Sequence, residues 1–397
     1  MISIFIVLLS VYIIITLANV IFAFLEIKKQ KKIYSAFDKI DESKITVLLP
    51  MVGGDPALEY CLSQNLKNAP DVSFIWLLDD DDLVGQEVAK KVLAAMPNAK
   101  VRLSVNPRPP RNISPKSWVL KIGMEIAKRD FANSEYLALL DDDTIIPPQG
   151  FSKAASIAKT GKAVVGLPSY FSRSNFLSRM ITGFVNSGSI LSYLPGTYLK
   201  IFNGVNCNGM FCLVRSGDLD VKDFDIILKK LLDDYSISRV FNDKGVEVVQ
   251  TIIHLDVITT ATSFKHYMNL MKKWFVFAKI CIQENTSSIP ITLFILLPSI
   301  LPLLLLVTAL ISGNATLIAA WFMAVLAKAL ALRMLRKELE FTTPISDIFF
   351  EILAELITPF HSLRAILGSN KVVWRRQEFS LDGVNIVDWN PVKDRSE

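Results

Sequence analysis

The run from Ile2 to Leu25 constrains this chain more than any other segment, because it contains no charged residue. A helix of that length, at about 1.5 Å per residue, reaches across a hydrocarbon core of about 30 Å. A cleaved secretory signal would begin with basic residues and have a shorter apolar region. Here the basic residues follow the run, at Lys28, Lys29, Lys31 and Lys32. The sequence therefore predicts a retained anchor over 1–27, with the chain after it cytoplasmic.

A second apolar region lies near the other end of the chain. Residues 290–337 form two apolar runs separated by a short polar turn, which predicts a hairpin of two membrane spans. The next apolar segment, 345–367, carries Glu351 and Glu355 on one helical face. Placing these two carboxylates at mid-bilayer would be costly. We expect an interfacial or re-entrant helix there, with a spanning helix as the alternative, and a cytoplasmic tail over 368–397. These features together predict a multi-pass integral membrane protein.

Composition excludes several other classes of protein. Apolar residues make up 51% of the chain and charged residues 20%, which excludes a disordered chain. The apolar excess is concentrated at the two ends, so a polar domain over 44–284 remains, of ordinary size for one globular unit. A net charge of +5 is modest, and the lysines after the anchor suit lipid headgroups better than nucleic acid. Cys207 and Cys212 lack CxxC spacing, and we expect reduced thiols.

Strand-like apolar runs alternate with helical segments through the first half of the polar domain. The predicted strands cover 45–49, 72–78, 99–105 and 136–140. This alternation predicts an α/β fold with a doubly wound sheet, whose ligands bind beyond the carboxyl ends of the strands.

Two acidic clusters follow two of these strands, Asp79 to Asp82 and Asp141 to Asp143. Adjacent carboxylates repel one another and raise each other's proton affinity unless a cation compensates them. Mg²⁺ or Mn²⁺, held by one or two carboxylates and by substrate phosphates, would do so. Either cluster alone is also compatible with a solvated acidic turn. Because both end apolar strands at the same sheet edge, the pair favours a metal-dependent phosphate site.

The segment Leu140-Asp-Asp-Asp-Thr-Ile-Ile-Pro-Pro148 resembles the DxD metal-binding segment of family 2 glycosyltransferases. The resemblance implies a GT-A domain with apolar helices at both ends. It also implies that Asp143 is the direct metal ligand and that Asp141 contacts the metal or the sugar nucleotide. By the same resemblance, Asp80 is the nucleoside-binding aspartate, with Asp79 as its rival.

Further segments are similar to the ceramide glucosyltransferase and hopanoid glycosyltransferase branch of that superfamily. The matching stretches are Pro50 to Pro56, Ser114 to Trp118, Gly204 to Arg215 and Leu232 to Tyr235. The resemblance implies donor-binding roles for Asp55 and Lys116. It implies that Asp234 is the base that takes the proton of the acceptor hydroxyl. An acid in the first turn of a helix is also favourable without any such function.

The last motif of the branch, Gln/Arg-x-x-Arg-Trp, is altered to Leu270-Met-Lys-Lys-Trp274. By the resemblance, Lys273 and Trp274 serve the leaving group or the acceptor, and a lysine can still neutralise a diphosphate. The alteration argues against a processive polysaccharide synthase. A basic interfacial helix with a tryptophan anchor is the structural alternative.

The sequence as a whole predicts an enzyme, a membrane-bound inverting glycosyltransferase. It would transfer one glucose-like sugar from a UDP-sugar donor to the hydroxyl of a membrane lipid of ceramide, hopanoid or diacylglycerol type, with Mg²⁺ or Mn²⁺. Transfer to polyprenyl phosphate or a polysaccharide is an alternative. A non-catalytic protein that binds sugar nucleotides or lipids is another.

Overall fold

A computed structural model describes residues 1–34, 37–172, 174–199, 208–284, 289–341 and 343–392, so Cys207 lies outside the described residues. The helices are α1 (Ile2–Tyr34), α2 (Leu58–Asn68), α3 (Leu83–Ala95), α4 (Pro115–Asp130), α5 (Gly150–Ala158), α6 (Phe176–Leu199), α7 (Phe224–Ile227), α8 (Asp233–Asp243), α9 (Phe264–Glu284), α10 (Ile289–Ser312), α11 (Ala315–Glu338) and α12 (Asp347–Leu367). The strands are β1 (Ile45–Pro50), β2 (Ser73–Asp79), β3 (Val101–Asn106), β4 (Tyr136–Leu140), β5 (Thr144–Ile145), β6 (Lys162–Tyr170), β7 (Phe211–Arg215), β8 (Glu247–Val257), β9 (Lys371–Trp374), β10 (Gln377–Asp382) and β11 (Asn385–Pro391).

The chain divides into two units, each assembled from three separate segments. The helical unit comprises Met1–Lys32, Ser169–Asn203 and Ala261–Ser369. The sheet unit comprises Ile33–Pro168, Gly204–Thr260 and Asn370–Glu397. This grouping differs from the linear order of domains predicted from the sequence. Helices α6 and α9 group with the apolar helices, and the predicted tail groups with the sheet.

The sheet unit is built on an eight-stranded mixed sheet, in the order β3-β2-β1-β4-β7-β6-β8-β5. Strands β1 to β4 run parallel, while β7 pairs antiparallel with β4 and β6 pairs antiparallel with β7. Strand β4 is buried along its whole length, as expected of a central strand covered on both faces. The carboxyl ends of β1, β2 and β4 therefore lie at one edge, directly before the loops that carry the acidic residues.

Helix α4 covers one face of the parallel strands. Val119, Leu120 and Met124 belong to the core that also includes Leu48 and Leu77 of the strands. Ser114 caps the helix and accepts a hydrogen bond from the backbone N–H of the third residue after it. This packing fixes the first turn of α4, which carries Lys116, against the sheet edge.

The helical unit contains two helices, α1 and α11, that are long and apolar enough to cross a bilayer among the residues described. Phe5 and Tyr12 of α1 share a core with Leu305 of α10 and Trp321 of α11. The turn between α10 and α11 contains Gly313 at a φ of 63°, and the preference of glycine for this conformation explains the break.

Helix α12 carries the two carboxylates that made its placement ambiguous from the sequence. Glu351 pairs with Arg336 of α11, and Glu355 pairs with Lys328 of α11. Arg336 also donates to the backbone carbonyl of Asn186 in α6, at 2.5 Å. Pairing with cations offsets the cost of burying these carboxylates.

The last described residues form a three-stranded antiparallel sheet in the order β11-β10-β9, which we call the C-terminal sheet. Gly383, at a φ of 57°, lies in the turn between β10 and β11. The sequence expectation for 368–397 was a tail, and no strand was predicted there.

Candidate active site

Asp143 lies between β4 and β5, at the end of the DDD triplet. Its carboxylate accepts hydrogen bonds from the hydroxyls of Thr144 at 3.3 Å and Thr259 at 3.1 Å. Burial, together with the charge of Asp141, raises the pKa of Asp143 to about 7, although Arg375 opposes the shift. A carboxylate that is costly to ionise in this state would be relieved by a bound cation.

Asp141 is paired with a lysine that also reaches a second acidic site. The Nζ of Lys116 lies 2.8 Å from Asp141 and 3.0 Å from Asp233. Burial alone would lower the pKa of Lys116, but these two carboxylates outweigh it and hold that pKa above its ordinary value. Lys116 is therefore a fixed positive charge, located 5.7 Å from the ring centroid of Trp374.

Asp234 lies beside this ion-pair cluster, in the first turn of α8. Its carboxylate accepts a hydrogen bond from the backbone N–H of Tyr235 at 2.7 Å. Burial raises its pKa to about 7, and the charge of Asp233 adds to the shift. Lys116, Asp141, Asp233, Asp234 and Gly209 line one pocket together with apolar side chains. The pocket therefore holds a cation and an acid of raised pKa side by side.

Gly209 closes one side of this pocket. Its φ is +77°, and a β-carbon placed there would lie 3.0 Å from an oxygen of Asp234. A side chain at this position would strain the backbone and crowd the carboxylate.

Asp55 lies in the loop after β1 and contacts the segment that follows β8. It accepts hydrogen bonds from the backbone N–H groups of Ala57 at 2.8 Å and Thr260 at 3.2 Å. These bonds hold the carboxylate of Asp55 in place within the loop. The role of Asp55 in donor binding stays a prediction.

The first acidic cluster divides into residues with different surroundings. Asp79 is buried, and burial raises its pKa to about 6, with Arg108 opposing the shift. Asp80 is exposed, and its backbone N–H donates to Asn106 at 2.8 Å. Asp82 caps α3 and accepts a 2.7 Å hydrogen bond from the backbone N–H of Gly53. The role of Asp82 as a helix cap and loop anchor therefore accounts for an aspartate at this position. Asp79 and Asp80 remain the two candidates for nucleoside binding.

Asp142, the middle residue of the DDD triplet, has partners other than Lys116. It accepts a 2.9 Å hydrogen bond from the backbone N–H of Val52. Its two oxygens also accept from the guanidinium of Arg375, one of them at 2.7 Å. Sequence reasoning missed both Arg375 and its neighbour Arg376. The alternating pattern and Asp-Gly turn at 377–391 could have predicted the β10–β11 hairpin that follows these arginines, but not the acidic partners of the arginines.

The two remaining predicted residues belong to the helical unit. Trp274 of α9 stacks on Phe184 at a centroid distance of 5.9 Å and packs edge-on against Tyr170 at 5.9 Å. The Nζ of Lys273 lies 5.9 Å from the ring of Trp274 and 5.7 Å from that of Phe277. Both stay predictions as residues for the leaving group or the acceptor.

Asp141 and Asp143 offer carboxylate oxygens to a divalent ion. Within the part of the chain that the structure describes, no group of three or more histidine, cysteine, aspartate or glutamate side chains is arranged around a single point. Magnesium-type ions are commonly held by one or two carboxylates, with substrate phosphates and water completing the shell. Asp143, which accepts hydrogen bonds from two hydroxyls, and Asp141 fit that pattern.

A family model described as glycosyl transferase family 21 matches residues 9–386. The chain belongs to this family. The match takes in the apolar helices as well as the sheet and most of the C-terminal sheet. Membership of this family identifies the protein as an enzyme, a glycosyltransferase, as the sequence predicted. The resemblance to the ceramide glucosyltransferase branch is also confirmed.

The family 21 chain is also similar to solved glycosyltransferase structures. A mannosyltransferase from Pyrobaculum calidifontis, in complex with GDP-Man and Mn²⁺, is 14% identical at a TM-score of 0.43, covering 91% of this chain and 99% of that one. TarS 1–349 from S. aureus, in complex with UDP-GlcNAc, is 11% identical at a TM-score of 0.36, with coverages of 89% and 97%. Glucosyl-3-phosphoglycerate synthase from Mycobacterium tuberculosis, with Mn²⁺, UDP and phosphoglyceric acid, is 14% identical at 0.34, with coverages of 56% and 74%. No curated protein matches this chain in sequence.

The predicted fold class is confirmed for this family 21 enzyme. The sheet unit is an α/β GT-A domain, and candidate membrane helices lie near the N-terminus and in the C-terminal region. One feature differs from the expected doubly wound sheet. Strands β6, β7 and β8 add an antiparallel half, because β7 returns beside β4 in the opposite direction.

Proposed function

We propose that this glycosyltransferase transfers a single sugar from a UDP-sugar to the hydroxyl of a membrane lipid, with inversion at the anomeric carbon. The observation that carries the proposal is the pocket in which Lys116 pairs with both Asp141 and Asp233 next to Asp234. The pocket combines a positive charge, which suits a diphosphate, with a carboxylate that can accept a proton.

Lys116 supplies positive charge on the donor side. Its two carboxylate partners hold it in place, and a diphosphate entering the pocket could replace one of them as an anionic partner. Asp141 and Asp143 would hold Mg²⁺ or Mn²⁺, which would neutralise charge developing on the leaving diphosphate. Asp80, or Asp79 as its rival, would contact the nucleoside, with Asp55 supporting the loop.

Asp234 is assigned as the base that accepts the proton of the acceptor hydroxyl. A carboxylate whose pKa is raised to about 7 is a stronger base than an ordinary aspartate and is still substantially ionised at neutral pH. Lys273 and Trp274 are assigned to the leaving group or to acceptor entry.

A membrane lipid is favoured as the acceptor because α1 and α11 are long and apolar enough to lie in a bilayer. The lysines at the end of α1 favour a cytoplasmic sheet unit in a multi-pass protein, since they follow the apolar run. The acceptor would then be drawn from the inner leaflet. Transfer to polyprenyl phosphate would use the same pocket, whereas the altered Leu270-to-Trp274 motif counts against a polysaccharide.

The test uses the full chain purified in detergent or nanodiscs. Isothermal titration with UDP, with and without Mn²⁺, measures donor-site binding, and UDP release with a membrane lipid extract measures transfer. Asp234→Asn should reduce transfer by at least about 100-fold and leave UDP affinity within about twofold. Asp243→Asn, at the exposed far end of the same helix, should change neither.

The outcomes separate the candidate functions. Transfer to ceramide, hopanoid or diacylglycerol in the extract supports the proposal, and transfer only to added polyprenyl phosphate replaces its acceptor. UDP binding without turnover on any lipid favours a binding protein. Wild-type turnover by Asp234→Asn removes Asp234 from the mechanism.

A further inference from the structure

The turn between β9 and β10 places two arginines against the acidic edge of the sheet unit. Trp374 pairs with Gln377, so Arg375 and Arg376 form a two-residue hairpin turn. Arg375 has a φ of 54°, in the left-handed region where glycine is the usual residue in such turns. An arginine here carries a backbone cost, which its side chain must offset through contacts elsewhere.

The C-terminal sheet is fixed to the rest of the sheet unit by backbone and aromatic contacts. Ile386 donates to the carbonyl of Lys229 at 2.8 Å, and Leu231 donates to the carbonyl of Val384 at 3.2 Å. The indole N–H of Trp389 donates to the carbonyl of Pro110 at 3.3 Å. The C-terminal sheet is therefore hydrogen-bonded to residues 229–231, which lie directly before Asp233 and Asp234.

Arg375 reaches the acidic triplet with both of its terminal nitrogens. They donate to the two carboxylate oxygens of Asp142, a bidentate pairing that only arginine can make. Asp142 is 3% exposed, so an unpaired charge there would be costly.

Arg376 makes the equivalent connection to the other acidic cluster. Its Nη1 lies 3.3 Å from the carboxylate of Asp82 and 3.5 Å from that of Asp81. The loop after β1 donates to the same two anchoring acids, from Val52 to Asp142 and from Gly53 to Asp82. One turn and one loop therefore hold both acidic clusters in register.

We propose that Arg375 is a positioning residue of the donor site, and that the C-terminal sheet completes that site. By compensating Asp142 and holding it on the loop after β1, Arg375 keeps Asp141 and Asp143 in the arrangement that binds the donor and its metal. The inference rests on the proposed UDP-sugar site and assigns a function to the segment first expected to be a tail.

The test compares variants of the full chain for UDP affinity in the presence of Mn²⁺. Arg375→Gly removes the side chain and relaxes the left-handed backbone, so the turn itself is retained. We expect UDP to bind at least about tenfold more weakly. Arg375→Lys, which keeps the charge and loses the bidentate fork, should fall between Arg375→Gly and the wild type. Lys371→Ala, which removes only the exposed ion pair with Glu378 in the same sheet, should bind as wild type.

A second substitution distinguishes positioning from direct contact with the donor. If Arg375 acts by compensating Asp142, then Asp142→Asn in the Arg375→Gly background should restore most of the lost UDP affinity, because the buried charge is gone. Failure of that rescue would overturn the proposal. So would a folded Arg375→Gly variant, judged by an unchanged thermal midpoint, that binds UDP and Mn²⁺ as the wild type does. If the wild type itself does not bind UDP, the proposed function fails instead.

Discussion

The rate of sugar transfer should depend on pH through Asp234. Burial and the neighbouring Asp233 raise the pKa of this carboxyl to about 7. A general base acts only when it is deprotonated, so activity is present above that pKa and is lost as pH falls through it. Lowering the pH is therefore a direct perturbation of the proposed base.

The size of the effect follows from the ionised fraction. With a pKa of about 7, roughly nine tenths of Asp234 is ionised at pH 8 and roughly one tenth at pH 6, so kcat should fall about tenfold between them. An aspartate with an ordinary pKa near 3.8 would remain ionised throughout this interval, and the rate would not change.

The assay must separate Asp234 from Asp143, whose pKa is also raised to about 7. Protonation of Asp143 should weaken binding of the metal and donor, whereas protonation of Asp234 should slow the step after binding. UDP release is therefore measured at saturating UDP-sugar and Mn²⁺, at constant ionic strength, and kcat is read separately from KM. A flat kcat between pH 8 and pH 6, or a pH effect confined to KM, would refute the assignment of Asp234. Asp243→Asn should keep the wild-type profile.

Three further predictions test the surroundings of the site. Gly209→Ala should lower kcat at least about tenfold because its β-carbon would crowd Asp234, whereas Gly245→Ala, at a similar φ of +71° with open space around it, should cost only about 1 kcal/mol in the free energy of unfolding. Lys116→Met should weaken UDP binding and shift the midpoint of the kcat profile to higher pH, because the lysine's charge holds down the pKa of Asp234; an unshifted midpoint would contradict this electrostatic coupling. Asn65→Ala should lower the free energy of unfolding by about 1–3 kcal/mol in chemical denaturation, because the buried amide of Asn65 makes two backbone hydrogen bonds to the segment after the DDD triplet; an unchanged denaturation midpoint would show that this segment is held by other contacts.

The sequence was most informative where one apolar run forms one buried strand. The predicted strand over 136–140 is β4 residue for residue, and the run predicted over 45–49 differs from β1 only at Pro50. Both strands are covered on both faces of the sheet, so their sequences are unbroken apolar runs. The antiparallel half was not predicted, since the pairing of its strands depends on distant segments, and one of them also alternates in burial. Strand β8, Glu247–Val257, shows this alternation along most of its length.

The motifs predicted candidate residues only within the motifs themselves. Lys116 pairs with Asp141 and Asp233 and lines one pocket with Asp234, although no spacing indicated that one lysine would pair with two carboxylates. Arg375 gave no local signal, since its partner Asp142 lies 233 positions away along the chain. A resemblance carried by short motifs assigns the outer residues of the triplet and leaves the middle one without a role. In the structure that middle residue joins the triplet to the last sheet.

The discontinuous sheet unit also has a consequence for the order of synthesis. Its third segment, Asn370–Glu397, is translated only after α9 to α12. If Arg375 positions the donor site as proposed, a nascent chain that contains the whole mixed sheet would still lack the turn that compensates Asp142. Sugar transfer would then begin only after the apolar helices of the same chain have been made, and a transcript cut short before β9 would yield a protein without that turn.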